Sequence, residues 1–183
     1  MDYDVKVSEV HGMSQRGGSV VTYVRYGDEV HSPIVDLGEA DYMLAFEPLE
    51  AARYLPYLKK DGVIITNTRE TMPMPVITGA AAYPENIVEK LKARANVVAL
   101  DAMVLALEAG NAKAVNMVLM GVLAARMDLP EEVWQAALTK QVPAKFLELN
   151  RRAFALGQAQ KGSDHAVRQL SVFLETAPAR SAR

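Results

Sequence analysis

The sequence predicts an α/β fold: a Rossmann-like open sheet with flanking helices, followed by a helical carboxyl-terminal part. Three observations carry this reading. Short apolar or β-branched runs at 42–46, 63–66 and 96–100 alternate with helical segments, the spacing of buried strands joined by crossover helices. From residue 102 onward the apolar runs have helical spacing only. A chain of 183 residues with 50% hydrophobic and 23% charged side chains can build one domain with a real core. Residues 1–160 are read as that domain, α/β to about residue 101 and helical over 102–160, with 161–183 as a carboxyl-terminal helix and flexible tail.

The elements follow in order. Residues 4–10 read as a strand, Val5 and Val7 alternating with polar neighbours. Residues 9–18, Glu-Val-His-Gly-Met-Ser-Gln-Arg-Gly-Gly, break that pattern with three glycines. Residues 19–26, rich in Val, Thr and Tyr, make a second strand closed by the turn at Gly27-Asp28. The apolar run 42–46 precedes a helix over 48–58, where Pro48 suits the first turn and Glu47 and Glu50 favour its positive end. Lys59 and Lys60 are expected at the carboxyl end of that helix, with Asp61-Gly62 stopping it before a buried strand at 63–66.

A proline-interrupted stretch at 72–75 leads into Val76-Ile77-Thr78; a helix over 84–93 and a strand over 96–100 complete the α/β part. A helix over 102–109 stops at Gly110-Asn111. The next, over 112–127, is apolar on most of its circumference and is expected to be buried. Pro130-Glu131-Glu132 opens a third helix, residues 145–156 form a fourth, and 164–175 a fifth ahead of a frayed tail.

Composition excludes several classes. A net charge of −2 and a pI near 5.9 give no global basicity for nucleic acid or an anionic membrane. The run 112–127 is too short for a bilayer span and carries Lys113, Asn116 and Arg126. The start Met-Asp-Tyr-Asp shows no secretory leader, so a cytoplasmic location is expected. With no cysteine, this chain can form no disulfide, thiolate nucleophile, cysteine-bound zinc or iron–sulfur cluster of its own.

Candidate chemistry gathers in the loop bearing His11, Gly12, Ser14, Gln15, Arg16, Gly17 and Gly18. Its glycines allow a tight turn or close approach to another surface. Arg16 can fork onto a phosphate or carboxylate, or pair with a carboxylate on a partner subunit; partner contact is favoured because no helix start is recognisable beside it. His11 could shuttle a proton, but a hydrogen bond that orders the loop is the commoner use. Ser14 has no base at a recognisable spacing. His11, His31 and His165 are far apart, and the metalloprotease, nucleophile-elbow and Walker patterns are absent.

Asn116 and Asn150 interrupt apolar helix faces and are expected to be buried structural amides, each tying its helix to a neighbour or a loop carbonyl, with ligand contact the alternative. Gly121 and Gly157 inside helices each cost about 1 kcal/mol relative to alanine, so close helix–helix or helix–partner approach is expected there.

Residues 7–21, Val-Ser-Glu-Val-His-Gly-Met-Ser-Gln-Arg-Gly-Gly-Ser-Val-Val, resemble the start of gamma-type subunits of 2-oxoacid:acceptor (ferredoxin or flavodoxin) oxidoreductases. His-Gly-Met before Gln-Arg-Gly-Gly is most similar to the beta subunit of the indolepyruvate enzymes. The resemblance continues through Ser32-Pro33, Asp41, Phe46-Glu47, Gly62 to Asn67, Gly110-Asn111, Asn116, Gly121, Asn150, Ala153-Phe154 and Gly157, over most of residues 3–160.

The resemblance implies a redox-inert subunit, not catalytic alone, of a complex that converts a 2-oxoacid, coenzyme A and oxidised ferredoxin into an acyl-CoA, carbon dioxide and reduced ferredoxin. Thiamine diphosphate, magnesium and iron–sulfur clusters would lie in a large partner subunit and none on this chain. Coenzyme A would be a co-substrate, and ferredoxin would be reached through the complex. The loop at 11–18 would face the catalytic subunit or coenzyme A. Family members also carry a strand and a Gly-x-Gly-Gly-Gln-Gly-type loop ahead of the segment matching Asp4; without that unit, an unpaired strand edge and an uncovered apolar face are expected, filled by another element or protomer, and self-association in isolation. The alternative reading is a stand-alone α/β module binding a nucleotide or coenzyme A.

Overall fold

The computed structural model describes residues 2–11, 20–160 and 171–174, with His11 and 171–174 described as backbone. The chain forms two compact units, Met1–Ala99 with Arg168–Arg183, and Leu100–Val167.

The first unit is built on strands β1 (Asp4–His11), β2 (Val20–Gly27), β3 (Ala40–Ala45), β4 (Leu58–Asn67), β5 (Asn96–Leu100) and β6 (Ser171–Leu174), in the sheet order β1-β2-β6-β3-β4-β5. β1 and β2 form an antiparallel hairpin from Asp4↔Gly27 to His11↔Val20. β2 runs antiparallel to β6, while β3 runs parallel to both β6 and β4. This is the expected open α/β sheet, and every residue of β3 lies in the core. Helices α1 (Pro48–Tyr54), α2 (Met74–Ile77) and α3 (Ile87–Lys92) accompany it, and Val21, Met43, Ala51, Ile64, Ile87 and Leu91 share one apolar cluster.

Three expectations are corrected here. The helix expected over 48–58 ends at Tyr54. Pro56 has no N–H for the helical ladder and its ring crowds the carbonyl one turn back, so the chain tightens into a 3₁₀ turn at Leu55–Tyr57 and enters β4 at Leu58. Lys59 therefore lies in a strand, where its Nζ donates to Asp41 Oδ1 at 2.7 Å. Asp61 and Gly62 also fall inside β4, at a register shift that takes Ala40↔Leu58 to Tyr42↔Val63. A Cβ on Gly62 would stand 2.9 Å from the Ala40 carbonyl oxygen, so the irregularity needs glycine there.

The proline-interrupted stretch forms the short helix α2, Met74–Ile77. Of the helix expected over 164–175, the described residues form a strand, β6. The lane between β2 and β3 leaves main-chain groups that must be paired, and Ser171–Leu174 supply partners to Thr22–Arg25 and to Leu44.

The second unit is helical, as expected: α4 (Ala102–Ala109), α5 (Val115–Ala124), α6 (Glu131–Gln141) and α7 (Leu147–Gln158). Asp101 caps α4 by accepting from Met103 N and Val104 N at 3.0 and 3.2 Å. Gly110, at φ +121°, closes it. Val118, Leu119, Val122 and Leu123 bury one face of α5, and Phe154 of α7 packs on Trp134 with ring centroids 5.7 Å apart. No helix among the described residues is long and apolar enough to cross a membrane.

Candidate functional site at the carboxyl edge of the sheet

The pairings fix strand direction. β1, β6, β3 and β4 point one way and β2 points back. The end of β1 at His11, where the chain enters residues 12–19, therefore lies at the same sheet edge as the ends of β3 and β4. In open α/β sheets this carboxyl edge is where ligands and partners are met.

Glu47 organises that edge. It follows β3, is buried, and serves as the N-cap of α1, its Oε2 accepting from Glu50 N at 3.0 Å. Tyr83 OH donates to Oε1, and the backbone of Thr71 and Leu49 lies near enough to favour the charged carboxylate. Burial raises the Glu47 pKa and these donors oppose the rise. Burial and the adjacent carboxylate push the Tyr83 phenol upward, so it stays a donor. Asn67 at the end of β4 and Thr66 before it are buried; Thr66 Oγ1 donates to the Asn67 carbonyl at 3.1 Å.

A second buried carboxylate, Asp41, pairs with Lys59 between β3 and β4. Burial raises its pKa while Lys59 pulls it down.

Of the residues singled out in sequence, His11 ends β1; Gly12, Ser14, Gln15, Arg16, Gly17 and Gly18 lie outside the described residues. Asn116, expected to be buried, is exposed. At about 100° per residue it falls on the side of α5 opposite Val118, which faces the interior. Asn150 is half-buried, and its Nδ2 donates to the Phe146 carbonyl at 2.8 Å, within the start of its own helical segment rather than to a neighbouring helix. Gly121 and Gly157 do mark a close helix crossing. The carboxyl edge thus carries Glu47, Tyr83 and Asn67 after β3 and β4, and His11 ends β1 at the same edge three strands away from β3. Sequence reasoning saw Glu47 as an acid at a helix start and as part of the family resemblance but did not see Tyr83, because no local pattern joins residues so far apart.

Among the described residues no group of three or more His, Asp or Glu could hold a metal ion, and the chain has no cysteine. Iron–sulfur clusters do not fit its side chains.

A family model described as pyruvate ferredoxin/flavodoxin oxidoreductase matches residues 1–160. The indolepyruvate oxidoreductase subunit IorB of Thermococcus kodakarensis is 46% identical over 162 residues, covering 85% of this chain and 80% of that protein. The subunit of the same name from Archaeoglobus fulgidus is 40% identical over 172 residues, covering 90% and 85%. Among solved structures, the gamma subunit of a keto/oxoacid ferredoxin oxidoreductase from Geobacter sulfurreducens aligns with a TM-score of 0.60 at 23% identity, over 86% of this chain and 80% of that one. Pyruvate oxidoreductase subunit PORC of Thermotoga maritima gives 0.59 at 21%, over 86% and 79%. These two likenesses show that the fold is shared.

Proposed function

The chain belongs to the pyruvate ferredoxin/flavodoxin oxidoreductase family, and from that premise we propose that it is the redox-inert subunit of a thiamine-diphosphate-dependent enzyme acting on indolepyruvate or another aryl pyruvate. It is a subunit of a multi-subunit 2-oxoacid:ferredoxin oxidoreductase complex. The substrate class rests on one observation, the 46% identity to a relative named as an indolepyruvate oxidoreductase subunit.

The lack of cysteine supports a division of labour in which thiamine diphosphate, magnesium and iron–sulfur clusters reside in a large companion subunit, which passes electrons to ferredoxin. Coenzyme A is the co-substrate. The role of this chain is to present the loop at 11–18, with Arg16 and Gly17-Gly18, to the companion subunit or to coenzyme A at the carboxyl edge.

Reconstitution tests this. The chain alone should turn over no 2-oxoacid. Combined with its thiamine-bearing subunit and coenzyme A, it should support reduction of ferredoxin with indolepyruvate in preference to pyruvate or 2-oxoglutarate. Full turnover by the companion without this chain would refute a required subunit. Tight coenzyme A binding by the isolated chain, with no effect on the companion, would favour a free-standing binding module.

A further inference from the structure

Strand β1 turns its apolar side chains away from its own core. Alternation puts Val5 and Val7, with Tyr3 just ahead of the strand, on one face and Asp4, Lys6 and Ser8 on the other. The pairings Ser8↔Tyr23 and Val10↔Val21 make the second face the inner one, because Val21 and Tyr23 belong to the apolar cluster of the sheet. On the outward face Val5 opposes Tyr26 and Val7 opposes Val24, and the Tyr3 and Tyr26 ring centroids are 5.2 Å apart. Tyr3, Val5 and Val7 are 44%, 53% and 60% accessible. A hairpin with one face buried ordinarily sets its valines inward; here they form an apolar strip on the surface.

Among the described residues β1 is also the outermost strand at its end of the sheet. The outer side of such a strand offers main-chain groups to a further strand. Two copies of β1 meeting antiparallel across a twofold axis normal to the sheet must centre on one residue, because opposed side chains share a face. Centred on Val5, the register opposes Val5 to Val5, Tyr3 to Val7 and Asp4 to Lys6, the last two twice. Centred on Asp4 or Lys6 it opposes like charges, and centred on Val7 it sets Glu9 against Val5. Asp4 and Lys6 already form an ion pair within the strand, and Asp4 Oδ2 accepts from Val30 N at 2.9 Å, which fixes the carboxylate. The register centred on Val5 therefore closes an alternating ring of two carboxylates and two ammonium groups. A lone edge lysine blunts pairing; beside Asp4 it selects one register.

We infer that β1 is a self-pairing edge, through which two copies of this chain join antiparallel in the register centred on Val5 to form one continuous sheet. The occupant is a second copy because a twofold contact needs a surface that complements itself, and this strand holds both signs of charge and both apolar partners in a single register. Pairing uses up the edge in both copies, so the contact closes as a dimer and does not propagate. The paired residues, 3–7, lie toward the amino-terminal end of β1, away from the carboxyl edge at His11. The inference does not depend on the function proposed above.

Sedimentation equilibrium of the full chain over a range of concentrations tests it, with circular dichroism melts to show that each variant is folded. Wild type should dimerise reversibly, and Val5→Lys and Lys6→Glu should each weaken the dimer by about tenfold or more. Asp4→Lys alone should also fail to pair, yet mixed with Lys6→Glu it should form a heterodimer, since opposed charges are again of opposite sign. A purely structural role for either residue gives no such rescue. The chain has no cysteine, so Val5→Cys introduces a lone thiol that meets its mate at the axis. Antiparallel partners stand about 4.5–5.5 Å apart between Cα atoms, within reach of a disulfide, so diamide should cross-link that variant. Leu37→Cys, at another exposed apolar residue, should not cross-link. A wild-type chain that stays monomeric, a dimer that Val5→Lys and Lys6→Glu leave intact, or assembly beyond the dimer overturns the inference. A monomer whose binding to the thiamine-bearing subunit is lost in Val5→Lys assigns the edge to that companion and also overturns it.

Discussion

Gly121 and Gly157 face each other where α5 crosses α7, each lying where the other helix would need room for a side chain. A Cβ on Gly121 would sit 2.0 Å from the Phe154 carbonyl oxygen, and one on Gly157 would sit 2.0 Å from the Val118 carbonyl oxygen. The obstructing atoms are backbone, so no rotamer change relieves the clash. Gly121→Ala or Gly157→Ala should destabilise the fold by about 1–3 kcal/mol, even though alanine favours each isolated helix by about 1 kcal/mol. Urea unfolding followed by circular dichroism reads this directly; a raised midpoint in either variant would contradict the crossing.

Tyr83→Phe removes one donor from the buried Glu47 carboxylate. The loss should cost about 1–3 kcal/mol and raise the Glu47 pKa further, since the Tyr83 hydrogen bond lowers it. Because Tyr83 ties the far end of the segment over 71–83 to Glu47, amide exchange along it should accelerate in the variant. Unchanged exchange there would show that Glu47 does not restrain the segment.

Asp41 sets a pH dependence. Burial lifts its folded pKa above the ordinary 3.8, so the folded chain holds that proton more tightly than the unfolded chain. Its contribution to stability is therefore full below that value and is lost as pH rises through the raised one. Asp41→Asn should remove this part of the decline. Lys59→Met should extend the decline to higher pH, because Lys59 opposes the rise. Chemical denaturation of the three proteins at stepped pH between about 4 and 7 checks the order; parallel curves would rule out Asp41 as the titrating group.

Asn116→Ala should change stability by less than about 0.5 kcal/mol, as an exposed side chain does, whereas Asn150→Ala should cost about 0.5–1.5 kcal/mol for its bond to the Phe146 carbonyl. Thermal melts of the two variants side by side would show the reverse order if Asn116 were the structural amide.

Arg16→Ala should weaken assembly with the thiamine-bearing subunit or raise the KM for coenzyme A without unfolding the chain. Measuring both on the reconstituted complex separates the two roles of the loop. No change in either removes the loop from the interface.

Where the signal was local, the sequence was readable. Pro48 at a first turn and Gly110 as a stop each act within one helical turn, and the helix start and the helix end they mark stand where expected. The 3₁₀ turn at Leu55–Tyr57 was also encoded locally, by Pro56, but the lysines that follow favoured a longer helix. Lys59 became a strand residue once β4 paired with β3, and that pairing depends on residues far away in the chain. The exposure of Asn116 followed from which face of α5 met α7, a choice of packing that periodicity does not make for a helix apolar on most sides.

The sequence by itself determined the class of fold, the loop that marks the family and the exclusion of thiolate chemistry, because composition, turn residues and short motifs act locally. Only the tertiary structure decided which edge of the sheet gathers the ends of β1, β3 and β4, and that Glu47 holds Tyr83 there. Strand direction and burial of a lone carboxylate are set by pairing between distant segments, and no local pattern carries either.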